Sequence, residues 1–369
     1  MKPAFSSVGQ AAAFCLFLLA LLLLPVIFTR GMLPPREEIY SSVPWRMGLY
    51  PYIHDVIFQQ KGDVDIAFMG GSTMYMGVNT PYVEAALAKS LGRKVCVFTA
   101  SWNWRGFDAL YFVAKDLLEN RHVNTIVFSD VTEWDDAPHP MAPYLFRFGD
   151  DAAELRGMPL RHVPQYYFAA ILGMPRNLLS LIRPNDPRTF FDPTDDGPTA
   201  GVPHAPFAIT DPAASLGSEE EEIGYHFAKF VDYSPASPAS PSDACVYSQG
   251  TANKFQFSKS RLPALQLYFL NKFLTLVRAH RTRLVMLTIP SPGEPLTPFI
   301  PEAADWPAIL GPDVTIVGIP PAKFYAGMTP PDIDKITPDR GHLNKNGQQY
   351  FTKVITPSLL KIYESPSGH

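Results

Sequence analysis

Ser72 closes the run Asp65-Ile66-Ala67-Phe68-Met69-Gly70-Gly71-Ser72, and near the other end Asp339 and His342 stand within Asp339-Arg340-Gly341-His342-Leu343-Asn344. A serine, a carboxylate and a histidine, in the order Ser…Asp…His, are the inventory for nucleophilic acyl chemistry. A serine hydroxyl attacks poorly until a base takes its proton, and an imidazole serves as that base once a carboxylate holds its far nitrogen. Gly70-Gly71 suits a chain that turns sharply and approaches a ligand closely. Each segment also has a plainer reading. Gly-Gly-Ser-Thr fits a turn in which Ser72 or Thr73 caps a helix, and Asp-Arg-Gly-His fits a surface loop before the last helix. Two other motifs are excluded. No lysine follows the glycines as a phosphate-binding loop requires, and Met74 breaks the Gly-x-Ser-x-Gly of an α/β-hydrolase. The nine histidines show no metal-ligand spacing, His139 in Ala137-Pro138-His139-Pro140 reads as a loop residue, and the chemistry calls for no cofactor.

The elements that must position these residues alternate between strand and helix. Short apolar runs at 66–69, 95–99, 125–128, 284–289 and 314–319 have the length and composition of buried strands. Helical patterns stand between and after them at 81–91, 108–120, 262–279 and 346–364. Asn79-Thr80 and Pro81 suit the start of the first of these helices, and Gly92 its end. This rhythm predicts an α/β fold: a flavodoxin-like three-layer sandwich around a central parallel sheet of about five strands. Active sites of such sheets form at the carboxyl ends of the strands. Ser72 follows the first strand and His342 the last, so both are expected at one sheet edge.

Many of the 38 prolines fall between residues 131 and 255, where the rhythm breaks. That stretch reads as a long insertion after the third strand that caps the domain, with helical patterns at 160–181 and 218–230. Three cysteines, Cys15, Cys96 and Cys245, form neither a zinc nor a redox spacing. A net charge of -4 leaves no basic excess for nucleic acid. Ala11–Thr29 is uncharged and rich in Leu and Phe. As a helix it would be about 28 Å long, enough to cross a bilayer core. It reads as an uncleaved anchor; a cleaved signal peptide is the rival, disfavoured because no small-x-small site follows. The organisation expected is a transmembrane anchor at 1–30, a stalk at 31–64 whose 50–60 segment docks as a short helix, and a domain at 65–364. Flanking charge leaves the orientation open.

Gly70-Gly71-Ser72-Thr73, together with Asp339-Arg340-Gly341-His342-Leu343-Asn344 and Gly347, resembles the first and last blocks of the SGNH (GDSL-like) hydrolase superfamily, over roughly 65–130 and 262–364. The resemblance implies Ser72 as nucleophile, His342 as base and Asp339 as its orienting acid. It implies an oxyanion hole from a glycine after the second strand, best matched by Gly106, and an asparagine after the third. The stretch Ser129-Asp130-Val131-Thr132-Glu133-Trp134 has no asparagine, and Asn103 in the neighbouring loop is the candidate substitute. Trp102 and Trp104 flank Asn103 and could stack on a sugar ring or belong to the core. The implied activity is that of an esterase or O-acyltransferase acting on acyl, commonly acetyl, esters of envelope or exported polysaccharide. The implied setting is a single-pass protein of the inner (cytoplasmic) membrane with a periplasmic catalytic domain, beside a multi-spanning membrane acyltransferase as partner. The alternative is a non-catalytic domain of the same kind that binds polysaccharide or scaffolds an envelope complex.

Overall fold

A computed structural model describes residues 4–29, 37–42, 50–102, 104–129, 136–146, 148–168, 171, 182, 235, 238–247, 262–290, 309–337 and 342–365. Asp339, Asn103, the helix read at 218–230 and most of the 131–255 insertion lie outside the described residues.

Six strands form one sheet: β1 Val64–Gly70, β2 Val97–Ser101, β3 Val123–Ser129, β4 Cys245–Tyr247, β5 Arg283–Thr288 and β6 Val314–Gly318, in the order β2-β1-β3-β5-β6-β4. The five strands read from the sequence are the parallel part, paired in register from β2 through β6. Their order is that of flavodoxin-like sheets. Strand β4 differs. It comes from the proline-rich insertion and pairs antiparallel with β6, Cys245 opposite Gly318. A three-residue strand is too short to leave a periodic signal, so the insertion contributes an edge strand as well as surface segments.

All seven residues of β1 are buried. Ile66 and Phe68 face one core, Ala67 and Met69 the other. That double burial explains why the run is continuously apolar rather than alternating. Val64, Ile66, Phe68 and Met69 each contribute about 1.5–3 kcal/mol.

The main helices are α1 Val8–Thr29, α2 Ser72–Gly77, α3 Thr80–Leu91, α4 Phe107–Asn120, α5 Ala264–Ala279 and α6 Lys345–Glu364. Helices α3 and α6 cover one face through Val83, Leu87, Tyr350, Phe351 and Ile355. Helices α4 and α5 cover the other through Phe112, Leu117, Phe269 and Phe273. Helix α3 starts as its sequence suggests: Asn79 accepts from the Tyr82 amide at 3.1 Å, and Gly92 ends it at φ 63°.

The side chains of α1 are described only as far as Leu23 and are largely exposed. Among the described residues no helix is long and apolar enough to cross a membrane. Closer to the domain, the segment read as a stalk is already docked at Ile39 and Tyr40, before the 50–60 helix. Ile39, Tyr40, Tyr50, Ile53, Val56 and Ile57 belong to the α4/α5 core. The Tyr40 hydroxyl donates to buried Asp116 at 2.5 Å, and Arg121 donates to the Val56 carbonyl at 2.8 Å.

Asp65, at the start of β1, ties three elements at the edge remote from Ser72. Its carboxylate accepts from the Cys96 amide at 2.8 Å, from Arg93 at 2.5 Å and from the Tyr363 hydroxyl of α6 at 2.6 Å. Burial pushes its pKa up, but these three hydrogen bonds and the Arg93 charge outweigh it and hold the carboxyl below its usual range. A group depressed in the folded state stabilises above its unfolded pKa and loses that effect as pH falls through the folded value. Asp65→Asn is therefore expected to cost about 1.5–3 kcal/mol at neutral pH. In urea unfolding, the gap to wild type should shrink as pH drops through the carboxylate range. A gap independent of pH would contradict the assignment.

Candidate active site

The sheet order reverses between β1 and its neighbours, with β2 on one side and β3 on the other. A crevice opens at such a point beyond the carboxyl ends of the strands, and Ser72 stands there. The glycine pair is wedged between the two neighbouring chains. A Cβ on Gly70 would lie 2.5 Å from Ser129 Oγ at the end of β3, and one on Gly71 would lie 2.5 Å from the Trp104 carbonyl oxygen after β2. Gly71 itself has an ordinary φ of -77°. Gly71 is thus required by close packing against backbone rather than by a left-handed turn, whereas Gly70 faces a serine hydroxyl that can rotate, which refines the sequence expectation. Gly71 precedes the first residue of α2, so Ser72 stands at the helix start, partly exposed.

His342 arrives from the far end of the chain, just before α6. Asn344 caps that helix, accepting from the amides of Asn346 at 2.9 Å and Gly347 at 3.2 Å. Its own amide donates to the Ile336 carbonyl at 2.9 Å. A side chain on Gly347 would strike that same carbonyl. The Asn344 and Gly347 of the sequence motif therefore fix the path of the chain leaving His342. Helix α6 is in turn seated on the Ser72 side of the sheet. Gln348 donates to the Tyr75 carbonyl at 2.7 Å, and the Asn79 amide donates to Thr352 Oγ1 at 2.9 Å.

The result is a direct contact: Ser72 Oγ lies 2.9 Å from His342 Nε2 across 270 residues of sequence. That is hydrogen-bond reach for a nucleophile and its base. With Nε2 as acceptor, the hydroxyl donates and the ring proton sits on Nδ1. The residue expected to meet Nδ1, Asp339, lies outside the described residues, as does Asn103.

The loop after β2 forms the wall next to Ser72. The Trp102 amide donates to the Gly70 carbonyl at 3.1 Å, carrying the β1/β2 pairing one step further. Trp102 is 1% exposed, so of the two readings left open for this indole the core one holds. Trp104 is 49% exposed and stands at φ 62°, one of two non-glycine residues with positive φ among those described. Gly106 precedes α4 and is buried beneath His139: a Cβ there would meet the Asp108 carboxylate and, at 2.8 Å, His139 Cβ.

His139, read from the sequence as a loop residue, is 1% exposed. Its ring lies edge-on to both indoles, with centroids 6.4 Å from Trp102 and 6.4 Å from Trp104. Its Nδ1 accepts from the Met141 amide at 3.1 Å, which places the proton of the neutral ring on Nε2. The His139 amide donates to Asp108 at 2.7 Å, and the Tyr166 hydroxyl donates to the same oxygen at 2.5 Å. Burial pushes the Asp108 carboxyl up, against the hydrogen bonds it accepts from Tyr166, His139 and Ala109. The Tyr166 hydroxyl is also raised, by burial first and then by Asp108.

Sequence reasoning missed His139 and Asp108. The only available signal was the position of His139 after the third strand, where site residues of such sheets gather. Cys96 is a free thiol. Among the described residues no group of three His, Cys, Asp or Glu side chains could hold a metal ion. Comparison of the chain with protein-family models, with curated proteins and with solved structures finds no match.

Gly71→Ala tests the packing that places Ser72. The new methyl must displace the Trp104 carbonyl, at about 1–3 kcal/mol for an overpacked contact. Urea unfolding should show that loss, and the emission of the exposed Trp104 indole should shift. A variant as stable as wild type with unchanged emission would mean the two backbones are not in contact.

Proposed function

We propose that this protein is a serine-dependent esterase or O-acyltransferase, with Ser72 as nucleophile and His342 as general base. The observation that carries this reading is the 2.9 Å approach of Ser72 Oγ to His342 Nε2. Two residues at opposite ends of a chain meet this way only when the fold brings them together, and the pairing is that of an activated nucleophile.

The chemistry follows from the groups present. Ser72 Oγ attacks the acyl carbonyl of an ester while its proton passes to His342 Nε2. The tetrahedral adduct collapses, breaking the ester bond, and His342 gives the proton to the departing alcohol. Acyl-Ser72 then meets water or a sugar hydroxyl, which His342 deprotonates in turn, and Ser72 is regenerated. Asp339 is assigned to orient the imidazole. The oxyanion is assigned to backbone amides near Ser72 and Gly106, with Asn103 as a side-chain donor, because such donors act on charge that appears only in the transition state.

The likeness of the Gly-Gly-Ser-Thr and Asp-x-x-His-Leu-Asn blocks to those of SGNH hydrolases supports the substrate class: acyl, commonly acetyl, esters of envelope or exported polysaccharide. The apolar Ala11–Thr29 segment supports anchoring in the cytoplasmic membrane with the domain outside it. There a multi-spanning acyltransferase is the partner that would supply acyl groups.

A fluorophosphonate probe tests the nucleophile. Wild-type protein should label at Ser72, Ser72→Ala should not, and His342→Ala should label about 10²–10⁴ times more slowly. Equal labelling of wild type and Ser72→Ala would overturn the assignment.

A further inference from the structure

We infer that Trp104 is the residue that selects a carbohydrate ester, its indole forming the stacking platform for the sugar ring that carries the acyl group. This rests on the proposed acyl chemistry at Ser72 and adds to it which side chain recognises the substrate.

Three observations converge on Trp104. The first is strain. A bulky residue at φ 62° is a backbone outlier, and such residues persist where the surroundings hold them, often at functional sites. The second is place. The Trp104 carbonyl is pressed against Gly71, the residue before the nucleophile. Trp104 therefore belongs to the loop packed directly against the turn that carries Ser72. The third is exposure. A tryptophan on a core-facing loop is ordinarily buried, as Trp102 is, yet Trp104 leaves about half its surface open at 49%.

The side chain is also held in place from below. His139 sits edge-on between the two indoles, and its backbone amide is fixed by the buried carboxylate of Asp108. Asp108 in turn takes the Tyr166 hydroxyl. The chain Tyr166–Asp108–His139 thus backs the Trp104 ring, which keeps about half its surface open. An aromatic face that is rigid, half open and beside a nucleophile suits the apolar face of a pyranose, whose C–H groups meet the negative face of the ring. The loop 101–106 carries no basic residue besides Arg105, so a phosphorylated ligand is a poorer fit.

The left-handed backbone makes a clean test available. Asparagine tolerates this conformation better than other side chains, so Trp104→Asn removes the indole while keeping the loop. Trp104→Phe keeps a smaller aromatic face. Binding is read in the Ser72→Ala background, where no turnover occurs, by titrating O-acetylated xylo-, manno- and gluco-hexaose. The expected result is a blue shift of tryptophan emission with at least one of the three. Calorimetric affinity for that sugar should fall about tenfold in Trp104→Asn and be largely restored in Trp104→Phe. Thermal unfolding of each variant confirms that the loop has not collapsed. Affinity in Trp104→Asn equal to the parent, or binding of none of the three sugars, would overturn the inference. Labelling of Ser72 by a fluorophosphonate in the wild type is read separately. Labelling without Trp104-dependent binding removes this inference and leaves the nucleophile, whereas Trp104-dependent binding without labelling does the reverse.

Discussion

The seating of the last helix on the segment that follows the first strand is the constraint on which the site depends. Helix α6 is tied to β1 and to that segment at three heights. Tyr363 reaches Asp65 at the bottom of β1, Thr352 takes the Asn79 amide in the middle, and Gln348 reaches the Tyr75 carbonyl near the top. Ser72 and His342 form the fourth contact along the same seam. Each neutral hydrogen bond contributes only about 0.5–1.5 kcal/mol. Together with the Leu87, Tyr350, Phe351 and Ile355 packing on the same face, they fix the separation of two side chains that nothing local could bring together. Arg283 at the start of β5 adds to this, donating to the Tyr363 and Ser365 carbonyls at the end of the helix.

On the other side of Ser72 the constraint is steric. The end of β1 is squeezed between the Ser129 hydroxyl and the Trp104 backbone, and at Gly71 that backbone leaves no room for a side chain. That squeeze aligns the nucleophile turn with the loop that carries Trp104 and, two residues on, Gly106. Behind the loop lies a buried charge. Asp108 is fully enclosed and accepts from the amides of Ala109 and His139 and from the Tyr166 hydroxyl. Burying a carboxylate is costly unless its lone pairs are satisfied, and these three donors supply that. One acid thereby joins the start of α4, the segment after β3 and the helical turn around Tyr166.

Much of this was legible in the sequence. Each of the five parallel strands was visible as an apolar run, because strands buried on both faces must be apolar throughout. Asn79 and Gly92 marked the ends of α3 because orphan amides and a left-handed terminus each demand particular residues. Ser72 and His342 were legible as a pair, since the βα rhythm forces residues after different strands to one edge. What was illegible depends on tertiary contact. The edge strand β4 is too short for a pattern. The docking of Ile39 and Tyr40 relies on a core that the local sequence does not contain. Trp102 and Trp104 look alike in sequence and separate only when one is covered by the sheet and its neighbour is not. His139 and Asp108 carry no motif; their burial together makes them matter.

The account stands most directly on whether Ser72 becomes acylated. Protein mixed with 4-nitrophenyl acetate, quenched in acid within its first turnovers and digested should yield the peptide containing Ser72 heavier by one acetyl group. The same peptide from His342→Ala should be acetylated far more slowly. Steady ester hydrolysis with the Ser72 peptide unmodified, or an acetyl group found only elsewhere, would contradict the central claim.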